Sequence, residues 1–212
     1  MGLANLLATW ARCLVQSERY GLIRIRPTWP QICRQPWLRN FPDKRTYHDL
    51  FVPSPDEING AKRLTLLATH RRVPEEQLGL PIPQGSIVAF RGMKGFLEPV
   101  LGHRDLVRRE LYRIIRPQHT RAVQQRFSPE VAIHVRLGDF GPFNPGATNL
   151  VNTRIDLQWY MGILTELRRH LGPLSASVFS DGTDQELAPL LAMEDVSRIT
   201  FGSGIADIVA LS

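Results

Sequence analysis

Cysteine is scarce in this chain. Two of its 212 residues are cysteines, Cys13 and Cys33, and their spacing suits neither a metal site nor a redox pair. They read as isolated free thiols. Long apolar runs are missing too, since nothing approaches the roughly 18 consecutive residues that a membrane-spanning helix needs. The stretch from Leu3 to Val15 has a helical period, but Asn5, Thr9 and Arg12 interrupt it. It also lacks the charged start and small-residue cleavage site of a signal peptide. Together these absences point to a cytoplasmic protein. The arginines are spread along the chain, and no recognisable nucleic-acid motif accompanies them.

What is present is ordinary in bulk. Hydrophobic residues make up 43% and charged residues 22%, the balance of a globular protein. The length allows one large domain or two small ones, with enough material for a core. A net charge of +6 favours anionic partners: nucleic acid, acidic lipid and sugar nucleotides all qualify. Without a nucleic-acid motif the basic surface reads as solvated, with peripheral association at the acidic inner face of a membrane left open.

Periodicity divides the chain. Leu3, Leu6, Leu7, Trp10, Leu14 and Val15 form one apolar stripe of a helix. Leu22 to Ile25 reads as a short strand, and the stretch from Pro27 to Gly60 is turn-rich. Such a length suits a segment that wraps the domain or forms an acceptor-side surface. Ser86 to Phe90 reads as a strand. His103 to Ile115 reads as a helix that buries Leu106, Val107, Leu111, Ile114 and Ile115, with Arg104, Arg108 and Arg113 outside, and Pro117 ends it. From Ser128 the pattern sharpens. A strand over 131–135 leads to a loop over 137–153, then a helix with Trp159, Tyr160, Ile163, Leu164, Leu167 and Leu171 on one face. A strand over Ala176 to Phe179, a short helix with Leu187, Leu190 and Leu191, a strand near Arg198 to Phe201 and a last amphipathic segment from Ile205 follow. Alternating strands and helices imply right-handed crossovers and a parallel sheet. The division is expected between Pro117 and Pro129, giving an α/β region over 1–127 and a second over 128–212.

The segment Val131-Ala132-Ile133-His134-Val135-Arg136-Leu137-Gly138-Asp139 carries the most chemistry. On a strand, residues 134 and 136 share a side. His134 and Arg136 therefore project together from a strand end, and a guanidinium fork matches phosphate oxygens. Ligands of open parallel sheets bind beyond the carboxyl ends of the strands. His134 and Arg136 lie at one such end, Ser180 and Asp181 at the next, Gly202 and Ser203 at a third. Each residue has a structural alternative. Arg136 contacts a diphosphate or pairs with Asp139; His134 bonds a nucleotide or a backbone carbonyl; Asp139 serves as a base for an acceptor hydroxyl or caps the turn. Asn5 caps a helix or meets a phosphate beside the helix amides. Ser180 and Asp181 bond a guanine or ribose, or simply form a turn. Asp181 and Asp184 follow no hard-cation loop pattern, so Asp184 is expected to cap a helix and no metal is expected. His48, His70, His103 and His119 show no useful mutual spacing.

The string His134-x-Arg136-x-Gly138-Asp139 resembles the first donor-site motif of the fucosyltransferase superfamily, closest to the α-1,2-fucosyltransferases, usually His-x-Arg-Arg-Gly-Asp. Gly2-Leu3-Ala4-Asn5-Leu6-Leu7 looks like the same family's Gly-x-x-Asn-Gln-Leu/Met-Phe start. Phe179-Ser180-Asp181-Gly182 is similar to its Phe-Ser-Asp-Asp segment, and Phe96-Leu97-Glu98-Pro99 with His103-Arg104 to its middle region. In order, these pieces span nearly the whole chain. Two positions depart: Leu137 stands where a second arginine is common, and Gly182 where the second Asp is.

The resemblance implies a GT-B-like α/β fold with two Rossmann-like halves, acceptor-side over 1–127 and donor-side over 128–212. It implies inverting transfer of L-fucose from GDP-fucose to a hydroxyl of a galactose-containing acceptor, forming an α-1,2 linkage without a metal. Arg136 and Asp139 would then be catalytic, and Asn5, His134, Arg136, Ser180 and Asp181 would hold the donor. The chain stops at Asp207-Ile208-Val209-Ala210-Leu211-Ser212, where the family continues into another helix and a Ser-rich motif. Its Gly-x-x-Asn string also begins at residue 2, without the strand that normally precedes it. The donor half is therefore expected to be incomplete, and the alternative to an active transferase is an inactive fragment that retains weak nucleotide binding.

Overall fold

Apolar residues recurring at three and four positions wind the start of the chain into a helix. In the computed structural model, which describes residues 2–29, 47–95, 97–126, 129–138, 141 and 153–212, helix α1 spans Leu3–Tyr20 and buries Leu7, Trp10, Ala11, Leu14 and Val15. It runs five residues past the apolar stripe. Gly21 ends it in the left-handed conformation (φ 61°), and the Leu22 amide closes the turn on the Ser17 carbonyl at 2.9 Å.

The chain divides into two units, Met1–Thr120 and Arg121–Ser212. In the first, β1 (Arg24–Ile25) pairs in parallel with β2 (Glu57–Ile58), and β3 (Arg72–Pro74) with β4 (Ile87–Ala89). Helix α2, Gly60–Thr69, lies between β2 and β3 in sequence. It buries no residue. Helix α3 covers Arg104–Ile114, with Leu111, Ile114 and Ile115 buried and Arg104, Arg108 and Arg113 exposed. Pro117 does more than stop that helix: it opens α4, Pro117–Arg126, where a missing N–H costs nothing.

The second unit holds a three-stranded parallel sheet of order β5-β6-β7: Val131–Val135, Ala176–Ser180 and Val196–Arg198. Register pairs Ile133 with Val178, His134 with Phe179 and Val135 with Ser180. Helix α5 (Leu157–Leu171) joins β5 to β6, and α6 (Asp184–Leu191) joins β6 to β7. One core binds them, formed by Ile133, Val135, Leu137, Leu164, Val178, Leu187 and Leu190. The protein is thus mixed α/β with small parallel sheets. The third strand sits two residues earlier than expected, and α7 spans Gly204–Ala210.

The packed face of α5 also differs from expectation. Leu157, Tyr160, Met161 and Leu164 meet the core, whereas Trp159 is 55% exposed, with Ile163 and Leu171 also outside. The helix carries two adjacent apolar stripes, and the sheet can cover only one. Among the described residues, no helix is long and apolar enough to cross a membrane.

Candidate functional site

Strand alternation sets the edge of the second sheet. Ile133, Val135 and Leu137 turn inward, while His134 and Arg136 are exposed. Arg136 follows the last residue of β5, and Asp181 follows the last residue of β6. In-register strands bring them together: Arg136 Nε lies 3.2 Å from Asp181 Oδ2. The other carboxylate oxygen of Asp181 accepts from the amides of Leu137 (2.8 Å) and Gly138 (3.1 Å). Burial pushes the Asp181 carboxyl up, but the two amides and the Arg136 charge outweigh it and hold the group below its ordinary range.

The two strand-end turns interlock. A Cβ on Gly138 would come 2.6 Å from Asp181 Oδ2, and one on Gly182 would come 2.5 Å from Leu137 Cδ1. Leu137 and Gly182 are the two positions that depart from the fucosyltransferase pattern, and they touch each other. A buried leucine at 137 fills the space that a side chain at 182 would need. Ser180 also shapes this turn, its Oγ accepting from the Gly182 amide at 3.0 Å.

A second arginine at this edge escaped the sequence reading. Arg198, the last residue of β7, donates to the carbonyls of Gly182 (2.8 Å) and Ser180 (3.2 Å) and pairs with Asp184 at 2.5 Å. Its signal was its place at the end of the third parallel strand. Arg154 pairs with Glu186 at 3.2 Å. Asp184 is therefore not the helix cap. Thr183 caps α6 in a reciprocal box with Glu186, which leaves Asp184 for Arg198. The two carboxylates once weighed as a metal pair each serve a different arginine, and no group of three or more His, Cys, Asp or Glu side chains suited to a metal occurs among the described residues.

Asn5 belongs to the first unit. Gly2 is the N-cap of α1, so Asn5 is the third helical residue. It does not cap; it is exposed, and its carbonyl accepts from Thr9 Oγ1 at 3.0 Å. Asp139 lies outside the described residues, as do Cys33, Phe96, residues 30–46 of the turn-rich stretch and residues 142–152 of the loop after β5. Gly141 and Thr153 form a parallel bridge. Cys13 is a free thiol that burial pushes up to about 11.

The second unit is, by class, a βαβαβ unit with an arginine–carboxylate network at the carboxyl end of its sheet. No family model, curated protein or solved structure matches the chain.

Proposed function

We propose that this edge binds the diphosphate of GDP-fucose, and that the protein is a fucosyltransferase-like enzyme with two Rossmann-like halves of the GT-B kind. The carrying observation is Arg136: a guanidinium at the carboxyl end of a parallel strand, with its side chain 46% exposed and so open to an incoming anion. His134 on the same side of the strand suits a second donor contact. Ser180 and Asp181 at the neighbouring strand end complete the part of the donor set that the motif resemblance implies for this unit.

In fucosyl transfer, the acceptor hydroxyl of a galactoside forms a bond to the anomeric carbon as the bond to GDP breaks, inverting that centre to an α-1,2 linkage. Arg136 stabilises the charge that collects on the departing diphosphate. Asp139 is the carboxylate assigned to the acceptor proton. The net charge of +6 suits a cytoplasmic protein that associates peripherally with an anionic membrane face.

The ion pair between Arg136 and Asp181 favours a second reading, an inactive relative with weak nucleotide binding, because the diphosphate must share that guanidinium with a carboxylate. Calorimetric titration with GDP tests both. Binding that weakens at least about ten-fold in Arg136→Ala supports the phosphate role; equal affinity refutes it. Transfer from GDP-fucose to a panel of galactosides separates the active reading from the inactive one.

A further inference from the structure

Strand β5 ends the sheet of the second unit. In the order β5-β6-β7 it has β6 on one side, and among the described residues no strand pairs with its other side. The Val131 amide donates to the Ser175 carbonyl and the Leu137 amide to the Asp181 side chain, so odd-numbered residues turn their backbone groups towards β6. By the same alternation, the N–H and C=O groups of Ala132 and His134 turn to the open edge. Natural edges are ordinarily blunted by proline, lysine or a bulge. Val131–Val135 contains neither proline nor lysine, and its register with β6 runs without a break.

Helix α5 adds an apolar flank on the same side. Leu157, Met161 and Leu164 meet the core, and Arg168 donates to the carbonyl of Glu194, just before β7. Each helical residue turns the direction by about 100°, so Trp159 and Ile163 lie on the flank turned away from β7. In a right-handed β5-α5-β6 crossover that flank stands beside the open edge of β5. Both side chains are exposed.

The open edge is complementary to itself. Glu130, Ala132, His134 and Arg136 alternate along one face, and all four are exposed. Two such edges laid antiparallel about a two-fold axis at Ile133 set Ala132 opposite His134 of the second copy, and Glu130 opposite Arg136 of the second copy. Small side chain meets large, and anion meets cation. Because Ala132 and His134 both face outward along the backbone, each such pair exchanges two hydrogen bonds. Glu130 holds Ser175 through Oε2 and keeps its side chain at the surface.

We propose that β5 is the dimerisation edge of this protein. It pairs antiparallel with β5 of a second copy, so that two sheets run on as one. A two-fold axis perpendicular to the sheet keeps both α5 helices on one face, where Trp159 and Ile163 of each copy cover those of the other. Backbone bonds set the register, and the apolar flank supplies most of the burial. The inference goes beyond donor binding.

Sedimentation velocity on the full chain from roughly 1 to 200 µM tests it, with a reversible dimer of Kd on the order of 10–100 µM expected for an interface of this modest size. Ile163→Glu, on a side chain exposed in the single copy, should weaken association at least about ten-fold. Ala132→Pro should do the same by removing an edge donor that β6 does not use, and Glu130→Lys should weaken it about three-fold by setting cations face to face. Leu101→Glu alters an equally exposed leucine of the first unit and should change nothing. Circular dichroism checks that each variant is folded. A chain monomeric throughout, a dimer indifferent to a folded Ile163→Glu, or one weakened equally by Leu101→Glu would each overturn the proposal. Calorimetric GDP binding is read separately, so failure of the donor site and failure of the dimer are distinguishable.

Discussion

Arg12 and Arg136 each face a carboxylate that directly follows a parallel strand: Glu75 after β3 and Asp181 after β6. In the first unit the protein uses the guanidinium up. Arg12 is bidentate to Glu75 at 2.8 and 3.0 Å and donates to the carbonyls of Lys94, Arg91 and Gly92, with its side chain 3% exposed. In the second unit the Arg136 side chain is 46% exposed. The same residue pair thus makes a buried node in one place and a half-exposed pair in the other. What separates them is the burial of the guanidinium and the water left around it.

The largest expected effect tests the buried node. Arg12→Met leaves Glu75 without its cation in a site that is mostly closed, and should cost about 3–5 kcal/mol in urea unfolding. Arg136→Ala should cost less than about 1 kcal/mol and reveal itself in GDP binding instead. Equal destabilisation by both would erase the contrast. Next comes the interlock beneath Arg136. Leu137→Ala should lose about 2–4 kcal/mol and Gly182→Ala about 1–3 kcal/mol through crowding. The double variant should fall well short of their sum, because the new methyl enters the space that Leu137 vacates; strict additivity would mean the two turns do not touch.

The last of the series is electrostatic. Asp181→Asn weakens the bonds to the Leu137 and Gly138 amides and the pairing with Arg136, for about 1–2 kcal/mol at neutral pH after allowing for partial exposure. Because the folded carboxyl titrates below its unfolded value, its contribution is fully present above the ordinary Asp range, near 3.9. It declines as pH falls through the lower folded value. The stability gap between wild type and Asp181→Asn should therefore be flat near neutrality and close on acidification. A gap that widens in acid would show that Asp181 is held by something other than those amides and Arg136.

Much of the second unit was legible because its strands and helices announce themselves by period. The alternation over residues 131–137 located β5 and placed His134 and Arg136 on its exposed side, and Ala176 to Phe179 located β6 to within one residue. The pairing of Arg136 with Asp181 was not legible, because strand register brings Asp181 up from the next turn; the expected pair with Asp139 falls on a residue outside those described. Arg198 was missed for the same reason, since its contacts with Ser180, Gly182 and Asp184 come from the end of β6, the turn after it and the start of α6. The face of α5 was misjudged because two apolar stripes run side by side and only docking chooses between them.

The departures from the motif pattern gain a physical meaning from this geometry. An arginine at 137 would have to bury its charge where leucine is 5% exposed. A second aspartate at 182 would need room that Leu137 occupies. The two residues form one packing solution, with Arg136 and Arg198 both paired to carboxylates at this edge.

Composition, period and motif were enough to set an α/β chain, a basic surface and a cluster of chemistry-bearing residues at strand ends, because these depend on local spacing alone. Which carboxylate across the sheet meets which arginine, which stripe of α5 is covered and which guanidinium stays half-exposed were decided only in three dimensions. Those outcomes depend on contacts between residues far apart in sequence. Arg12 and Glu75, 63 residues apart, meet only because the fold closes the chain between them.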